Sequence, residues 1–295
     1  VACGLQQRGL EPGQRVALML PTSPAYFFCF FGVIMAGAIP VPLYPPARLS
    51  QIEEHLRRHI GILNNSLATL LITTAEVQPL ARLLQAQAPA LQGSATLDQL
   101  TSHGSRYQPQ EIKGEETAFL QYTSGSTGNP KGVILSHANL LANIRAMGHH
   151  MEARASDVFV SWLPLYHDMG LIGAWLGSLY YGCQLVIMSP QAFLVHPEEW
   201  LWAIHRHRGT LSAAPNFGYA FCLKKIDDLD IEGLDLSSWR LAFNGAEPVS
   251  PATVHDFTAR FRPFGFAAQA MAPVYGLAES TVGLAFPPPG QPARH

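Results

Sequence analysis

The sequence is poor in charged side chains. Only 14% of its 295 residues are Asp, Glu, Lys or Arg, against about a quarter in an average globular protein. Hydrophobic residues make up 48%, so a large core is expected and long disordered segments are not. The 19 basic and 21 acidic residues give a net charge of −2. This balance lacks the basic excess of nucleic-acid-binding proteins, but it is compatible with a small anionic ligand, which needs only local positive charge.

Cysteine and long apolar runs are also scarce. The four cysteines, at positions 3, 29, 183 and 222, form no Cys-x-x-Cys pair, which removes the common zinc-binding and dithiol redox motifs. Reduced thiols in a cytoplasmic protein are the simplest interpretation. The longest apolar run covers residues 25–39 and is shorter than the roughly twenty residues that a bilayer span needs. It predicts a buried helix and no transmembrane segment.

Short apolar runs alternate with amphipathic segments along the chain. The runs at residues 16–20, 39–43 and 67–72 are typical of strands covered on both faces, and segments 50–64 and 76–87 have helical spacing. The same alternation continues after residue 130, where the apolar residues 171–180 predict a further helix. It predicts an α/β fold with doubly covered, mostly parallel sheets in two subdomains. A polar stretch at residues 102–114 indicates approximate halves 1–114 and 115–295.

A loop of hydroxyl residues and glycines separates two apolar runs in the middle of the chain. Its residues are Thr123, Ser124, Gly125, Ser126, Thr127, Gly128, Asn129, Pro130 and Lys131. Glycines allow close backbone approach, successive N–H groups form an anion-binding nest, and Lys131 adds a charge suited to phosphate. A Walker A loop is excluded, because its second glycine would stand where the chain has Pro130. A plain Gly/Ser turn is the alternative, but the apolar flanks favour strand–loop–strand.

Three further motifs follow predicted strands, at the ends where ligands bind in open α/β sheets. They contain His167 and Asp168, residues 244–248, and residues 275–281. Taken alone, Asp168 is more often a helix N-cap, residues 244–248 a turn, and Glu279 a helix-start residue. However, the ring of Tyr275 can stack on a base, and Glu279 offers the oxygen ligand that Mg²⁺ combines with phosphates.

Together these strings resemble the motifs of the acyl-adenylate-forming enzymes, the superfamily of acyl-CoA synthetases, peptide-synthetase adenylation domains and luciferases. The resemblance covers essentially the whole chain and is closest to fatty acyl-AMP ligases, through residues 162–173, 215–219, 234–239 and 244–249. It identifies residues 1–295 as a partial N-terminal adenylation (AMP-binding) domain. No ribose-binding string, hinge or C-terminal domain with its catalytic lysine follows residue 286, so the chain is expected to be a fragment of a larger enzyme.

The resemblance implies a role for each site residue. The catalytic residues would be Lys131, His167 and Glu279. The ATP-binding residues would be Thr123, Ser124, Gly125, Ser126, Thr127, Gly128, Lys131, Asn244, Gly245, Ala246, Glu247, Tyr275, Gly276 and Ser280. Mg²⁺ would be bound by Glu279 and Thr123. The candidate wall for the acyl chain is formed by Phe217, Tyr219 and Phe221 with the region of Trp162, and ordinary core packing is the alternative for several of these aromatic residues. Because a carboxylate is already ionised at neutral pH, His167 is assigned positioning and gating rather than proton abstraction.

The implied reaction converts a fatty acid and ATP into an acyl-adenylate and pyrophosphate. The acyl group would then pass to the phosphopantetheine thiol of an acyl carrier protein, or of a polyketide or peptide synthase module. Two alternatives stay open: an acyl-CoA synthetase that uses free CoA, and a nucleotide-binding module without catalysis. Residues 205–208, His-Arg-His-Arg, are the densest basic cluster, but their predicted helix makes a solvated face the simpler interpretation than a site for the 3′-phosphate of CoA.

Overall fold

The computed structural model describes residues 1–46, 52–102, 106–123 and 130–291, the side chain of Ile52 excepted. Contacts divide the chain into two compact units, Val1–Asn139 and Leu140–His295. The boundary predicted after residue 114 falls earlier than this one, because the segment 117–136 forms a hairpin that belongs to the first unit. Tyr122 ties the hairpin to that unit, since its hydroxyl donates to Asn65 Oδ1 at 2.5 Å.

The first unit contains a four-stranded parallel sheet in the order β2-β1-β3-β4. Its strands are β1 (Arg15–Met19), β2 (Ile39–Leu43), β3 (Ala68–Thr73) and β4 (Gly93–Ala95). Its helices are α1 (Ala2–Gln7), α2 (Pro24–Met35), α3 (Ile52–Ser66), α4 (Gln78–Gln85) and α5 (Leu97–Thr101). In β1 and β2 every residue after the first is buried, as expected for parallel strands covered on both faces. The predicted parallel α/β arrangement is confirmed here.

The apolar run at residues 25–39 forms helix α2 and the first residue of β2. Pro24 stands at the first turn of this helix, where its missing N–H costs no intrahelical hydrogen bond. Within the described ranges, no helix is both long enough and apolar enough to cross a bilayer.

An antiparallel hairpin completes the first unit. Strands β5 (Thr117–Thr123) and β6 (Lys131–Ser136) pair from Thr117↔Ser136 to Thr123↔Lys131, which confirms the two predicted strands. Residues 124–129, where the sequence predicts the phosphate loop, lie outside the described residues. Gly132 gives the hairpin its close packing, because a Cβ there would lie 2.8 Å from the ring of Tyr122.

The second unit is built on a five-stranded parallel sheet in the order β11-β10-β9-β7-β8. The strands are β7 (Val158–Ser161), β8 (Gln184–Ile187), β9 (Leu211–Pro215), β10 (Leu241–Gly245) and β11 (Met271–Pro273). The helices are α6 (His137–His150), which begins before the unit boundary, a π-helix (Met169–Leu176), α7 (Gly177–Tyr181), α8 (Pro190–Val195), α9 (Glu198–His207), α10 (Asn216–Lys225) and α11 (Pro251–Phe261).

An aromatic core lies against this sheet. Trp200 and Trp239 are buried with ring centroids 5.3 Å apart, and the Trp200 indole donates to Ser212 Oγ at 2.9 Å. Tyr219 belongs to the same core: its side chain is fully buried, and its hydroxyl donates to the carbonyl of Phe243 at 2.7 Å. Of the two interpretations of Tyr219, acyl wall or ordinary core, this packing favours the core.

The apolar helix predicted at residues 171–180 has an unexpected form. Residues Met169–Leu176 are a π-helix, and α7 continues it to Tyr181. Its start approaches the preceding loop closely, because a Cβ at Gly170 would collide with the carbonyl oxygen of Pro164. Such wide turns are rare and occur often at functional sites.

Candidate nucleotide and carboxylate site

The carboxyl ends of the strands in the second unit lie along one edge of the sheet, since all of its strand pairs are parallel. Four of these ends lead into segments with exposed or polar side chains. His167 follows β7, Phe217 follows β9, Glu247 follows β10 and Tyr275 follows β11. The motifs that the sequence singled out in this unit therefore share one edge, which is where open α/β sheets bind ligands.

His167 and Asp168 form a hydrogen-bonded pair at the start of the π-helix. His167 Nδ1 lies 2.8 Å from Asp168 Oδ1, and the same oxygen accepts the backbone N–H of Met169 at 2.7 Å. Asp168 is thus both the predicted N-cap and the partner of the imidazole. Desolvation lowers the pKa of His167, but the hydrogen bond and negative charge of Asp168 outweigh it and raise that pKa above its usual value.

The orientation of this imidazole follows from the pair. With Nδ1–H donated to Asp168, the Nε2 atom is the ring position left for a ligand. About half of the His167 side chain is exposed, against 13% of that of Asp168. The arrangement suits a group that meets a carboxylate or phosphate oxygen and that carries positive charge more readily than an isolated histidine.

Tight packing shapes the end of β10 and the residue that follows it. Asn244 is fully buried, and its Nδ2 donates to Asn216 Oδ1 at 3.4 Å. A Cβ on Gly245 would lie 2.8 Å from the carbonyl oxygen of Val274 on the neighbouring segment, so only glycine fits there. Ala246 has a positive φ of 67°. Asn244 Oδ1 is buried and has no hydrogen-bond partner among the described residues, and the adenine contacts of these three residues stay a prediction.

Glu247 is exposed, but its carboxylate already has a partner. Its Oε1 accepts the backbone N–H of Phe217 at 2.6 Å, so the segment after β10 is linked to the first turn of α10. The neighbouring Asn216 Oδ1 accepts the backbone N–H of Ser250 at 3.1 Å. No role is assigned to Asn216 from the sequence alone, although an asparagine at the junction of a strand and a helix is a typical capping signal.

The segment after β11 presents Tyr275 and Glu279 to the outside. The Tyr275 backbone pairs in both directions with Ala285, at 3.0 and 2.9 Å, and leaves 62% of the side chain exposed. A Cβ on Gly276 would collide with the carbonyl of Val282. Glu279 is exposed, and Ser280 half-buried, on the short 3₁₀ turn Ala278–Ser280. An exposed aromatic face and an exposed carboxylate are thus held on a fixed backbone.

An aromatic face borders the same edge between β7 and β9. Trp162 stacks on Phe193 with ring centroids 3.9 Å apart and planes 6° apart, and Phe217 meets it edge-on at 5.8 Å. Trp162 is buried, whereas 44% of Phe217 is exposed. Phe221 lies half-buried against Phe193. Of the predicted acyl wall, Phe217 is thus the member that the second unit offers to a ligand directly.

The first unit holds the two ends of the predicted phosphate loop. Thr123 and Lys131 are register partners across the hairpin, so the loop's two ends are fixed opposite each other. Lys131 is exposed and Thr123 half-buried. The predicted contacts of Ser124, Gly125, Ser126, Thr127 and Gly128 fall outside the described residues.

In the described part of the chain, Glu279 is a side chain that could hold Mg²⁺. Among the described residues, no group of three or more His, Cys, Asp or Glu side chains could hold a metal ion. Mg²⁺ commonly takes one or two carboxylates and completes its shell with phosphate oxygens and water. One exposed carboxylate at Glu279 fits that mode and does not fit a structural zinc or calcium site.

Comparison with known proteins agrees with this geometry. The sequence matches the AMP-binding enzyme family over residues 1–295. This chain belongs to that family. Among the similar proteins is the medium-chain-fatty-acid–[acyl-carrier-protein] ligase TtuA of Teredinibacter turnerae, which is 37% identical over 90% of this chain and 47% of its own length. Another is the long-chain-fatty-acid–AMP ligase FadD26 of Mycobacterium marinum, 38% identical over 96% of this chain and 49% of its own.

A solved structure supports the fold of this AMP-binding chain. The fatty acyl-adenylate ligase from L. pneumophila, in complex with acyl adenylate and pyrophosphate, has a TM-score of 0.88 and 39% identity. The match covers 99% of this chain and 50% of that one. The predicted superfamily and adenylation fold are therefore confirmed. This AMP-binding chain spans about half the length of the relatives that it matches.

Proposed function

We propose that the complete protein activates a fatty acid with ATP, giving an acyl-adenylate and pyrophosphate. The observation that carries this proposal is the shared carboxyl edge in the second unit. Along this edge lie the His167–Asp168 pair, whose imidazole is half-exposed, the exposed Phe217, and the exposed Tyr275 and Glu279. These side chains supply the contacts that a carboxylate, an acyl chain, a purine and a phosphate group require.

The reaction requires no proton abstraction. A carboxylate oxygen attacks the α-phosphorus of ATP, the new P–O bond forms, and the bond to the pyrophosphate oxygen breaks. Since a fatty acid is ionised at neutral pH, the protein's task is to position the two reactants and stabilise developing negative charge. His167, whose pKa is raised through Asp168, is proposed to orient the carboxylate through Nε2. Tyr275 is proposed to stack on adenine.

We propose that the charged side chain of Lys131 and the backbone N–H groups of the predicted loop bind the phosphates of ATP. Lys131, with the loop residues 124–128, would bind phosphate oxygens, and Ser280 would lie near the α-phosphate. Glu279, with Thr123 as a further ligand, would hold Mg²⁺, which neutralises charge on the phosphates when bound. The free thiols of all four cysteines accord with the reducing environment of a cytoplasmic enzyme.

The acceptor is proposed to be the phosphopantetheine thiol of an acyl carrier protein, alone or within a polyketide or peptide synthase module. TtuA is named as a ligase to an acyl carrier protein. The densest basic cluster of this chain is already engaged: Arg206 pairs with Glu199 at 2.9 Å, and Arg208 pairs with Asp235. This leaves little reason to assign it to the 3′-phosphate of CoA.

The test offers two acceptors to the complete enzyme. It is incubated with ATP, Mg²⁺ and radiolabelled dodecanoate, and then with either CoA or a phosphopantetheinylated carrier protein. Label should remain as acyl-adenylate with CoA and move to protein with the carrier. Efficient acyl-CoA formation would instead identify an acyl-CoA synthetase. The absence of both acyl-adenylate and pyrophosphate would favour a nucleotide-binding module without catalysis.

A further inference from the structure

Glu247 joins the segment after β10 to the first turn of helix α10. Its Oε1 accepts the Phe217 N–H at 2.6 Å. The first N–H groups of a helix have no intrahelical acceptor, and a carboxylate there is further favoured by the helix dipole. The carboxylate therefore satisfies a backbone donor that would otherwise depend on water.

A second contact joins the same two segments. Asn216 Oδ1 accepts the backbone N–H of Ser250 at 3.1 Å and the Nδ2 of Asn244 at 3.4 Å. The start of α10 is thus held by its own residue Asn216 and by Glu247, which follows β10. Because two independent contacts fix the same short stretch, the backbone at Phe217 has little freedom.

Phe217 is the residue that this arrangement orients. Its ring is 44% exposed and meets Trp162 edge-on at 5.8 Å. The next residue, Gly218, allows the helix to approach the same indole, because a Cβ there would lie 2.8 Å from Trp162 Cζ2. β9, which leads into Phe217, is paired with β7, which leads towards His167. A shift of the helix start would therefore move an exposed apolar surface beside the proposed carboxylate site.

We propose that Glu247 is a positioning residue for the fatty acid, acting through the backbone of Phe217, and is not a contact to the nucleotide. The inference rests on the proposed function, since it assigns Phe217 to the acyl side of that site. It differs from the adenine role that the sequence resemblance implied for Glu247. One carboxylate oxygen of Glu247 already accepts a hydrogen bond from the backbone N–H of Phe217 at 2.6 Å. That hydrogen bond holds the Phe217 ring in place.

The test compares Glu247→Ala and Glu247→Gln in the complete enzyme. Titration calorimetry gives the Kd of dodecanoate and, separately, the Kd of ATP with Mg²⁺. Loss of one exposed, charge-assisted hydrogen bond should weaken dodecanoate binding about five- to tenfold in Glu247→Ala and leave the ATP Kd within about twofold. Glu247→Gln keeps an oxygen acceptor at the same place and should recover most of the dodecanoate affinity.

Two controls separate positioning from general damage. Glu232→Ala removes another exposed glutamate of the same unit and should leave both Kd values as in the wild type. In a Phe217→Ala background, Glu247→Ala should weaken dodecanoate binding much less than it does alone, because the oriented ring is gone. Thermal melting of each variant shows whether it is folded, and Glu247→Gln carries the comparison if the alanine variant is not.

The outcomes that overturn the inference are distinct from those that overturn the proposed function. An ATP Kd raised more than the dodecanoate Kd in Glu247→Ala would make Glu247 a nucleotide contact. Unchanged values for both ligands, or a Glu247→Gln variant as impaired as Glu247→Ala, would also remove the positioning role. The proposed function fails instead if the wild-type enzyme releases no pyrophosphate with dodecanoate and ATP, whichever way the binding constants of the variants turn out.

Discussion

The Asp168 carboxylate serves two neighbours at once, and the charge state of His167 depends on it. Oδ1 lies 2.8 Å from the imidazole Nδ1 and 2.7 Å from the backbone nitrogen of Met169. The pKa of His167 is higher in the folded chain than in the unfolded chain. The His167–Asp168 pair therefore stabilises the fold most at low pH, and this stabilisation is lost as pH rises through the raised pKa. With half of His167 exposed, its larger effect is expected on the site rather than on stability.

Asp168→Asn tests this dependence directly. Asparagine keeps an oxygen for the Met169 N–H but removes the negative charge, so desolvation should then dominate and the pKa of His167 should fall below its ordinary value. NMR titration of the His167 ring protons in wild type and variant measures this change. A His167 pKa equal in both proteins would show that Asp168 does not control it.

Glu279 is the carboxylate of the 275–281 motif, and it is exposed on a short 3₁₀ turn. We expect Glu279→Gln in the complete enzyme to fold normally and to form acyl-adenylate at least about a hundredfold more slowly, in line with removal of one charge-stabilising group. Pyrophosphate release at saturating Mg²⁺ gives the rate, and thermal melting checks the fold. A variant with the wild-type rate would take Glu279 out of the reaction.

Helix α3 carries two stacked histidines inside the first unit. The rings of His55 and His59 lie with centroids 3.9 Å apart, and His59 Nδ1 donates to the carbonyl of His55 at 2.6 Å. Arg58 is a charged residue on the same face of this helix and lies over the ring of Tyr44. The Tyr44 ring meets the imidazole of His55 edge-on at 5.0 Å and that of His59 at 4.4 Å. Desolvation, followed by the influence of His55, lowers the pKa of His59 to about 3.

This burial predicts sensitivity to acid. The unfolded chain binds a proton at His59 near pH 6.5, whereas the folded chain does so only near pH 3, so stability falls as pH drops through that window. The loss should reach about 2 kcal/mol between pH 7 and pH 5. Urea unfolding of residues 1–295 at several pH values measures it, with His59→Leu expected to flatten the dependence. A slope in His59→Leu equal to that of the unsubstituted chain would contradict the assignment.

At the scale of elements, the sequence predicted most strands and helices but not the form of one of them. The apolar spacing of residues 171–180 indicates a helix without distinguishing an α-helix from the observed π-helix. The difference is decided by packing, since Gly170 lies against the Pro164 carbonyl and no periodicity records that contact. The short strand β4 and helix α5 were missed because three and five residues carry too little pattern.

At the scale of the whole molecule, the alternation of apolar and amphipathic segments predicted both parallel sheets. The boundary between the two units was harder to predict. The polar stretch at residues 102–114 suggested a boundary there, but β5 pairs with β6 and Tyr122 binds Asn65, so the hairpin belongs to the first unit and the boundary lies later. The motif residues of the second unit were found at one sheet edge because strand ends follow from the topology. The partner of Glu247 could not be predicted, because a contact between residues 30 positions apart depends on side-chain placement.

The length of the chain leads to the last prediction. Residues 1–295 span about half of the fatty-acid ligases that they resemble, and the structure in complex with acyl adenylate belongs to a chain twice as long. We expect residues 1–295 alone to bind ATP weakly and to form little acyl-adenylate, because charge stabilisation at the α-phosphate needs all of the groups that surround it. Calorimetric titration with ATP and Mg²⁺ measures the first, and trapping of acyl-adenylate by hydroxylamine measures the second, each beside the complete enzyme. Turnover by residues 1–295 equal to that of the complete enzyme would show that the described edge, with the loop of the first unit, already suffices for adenylation.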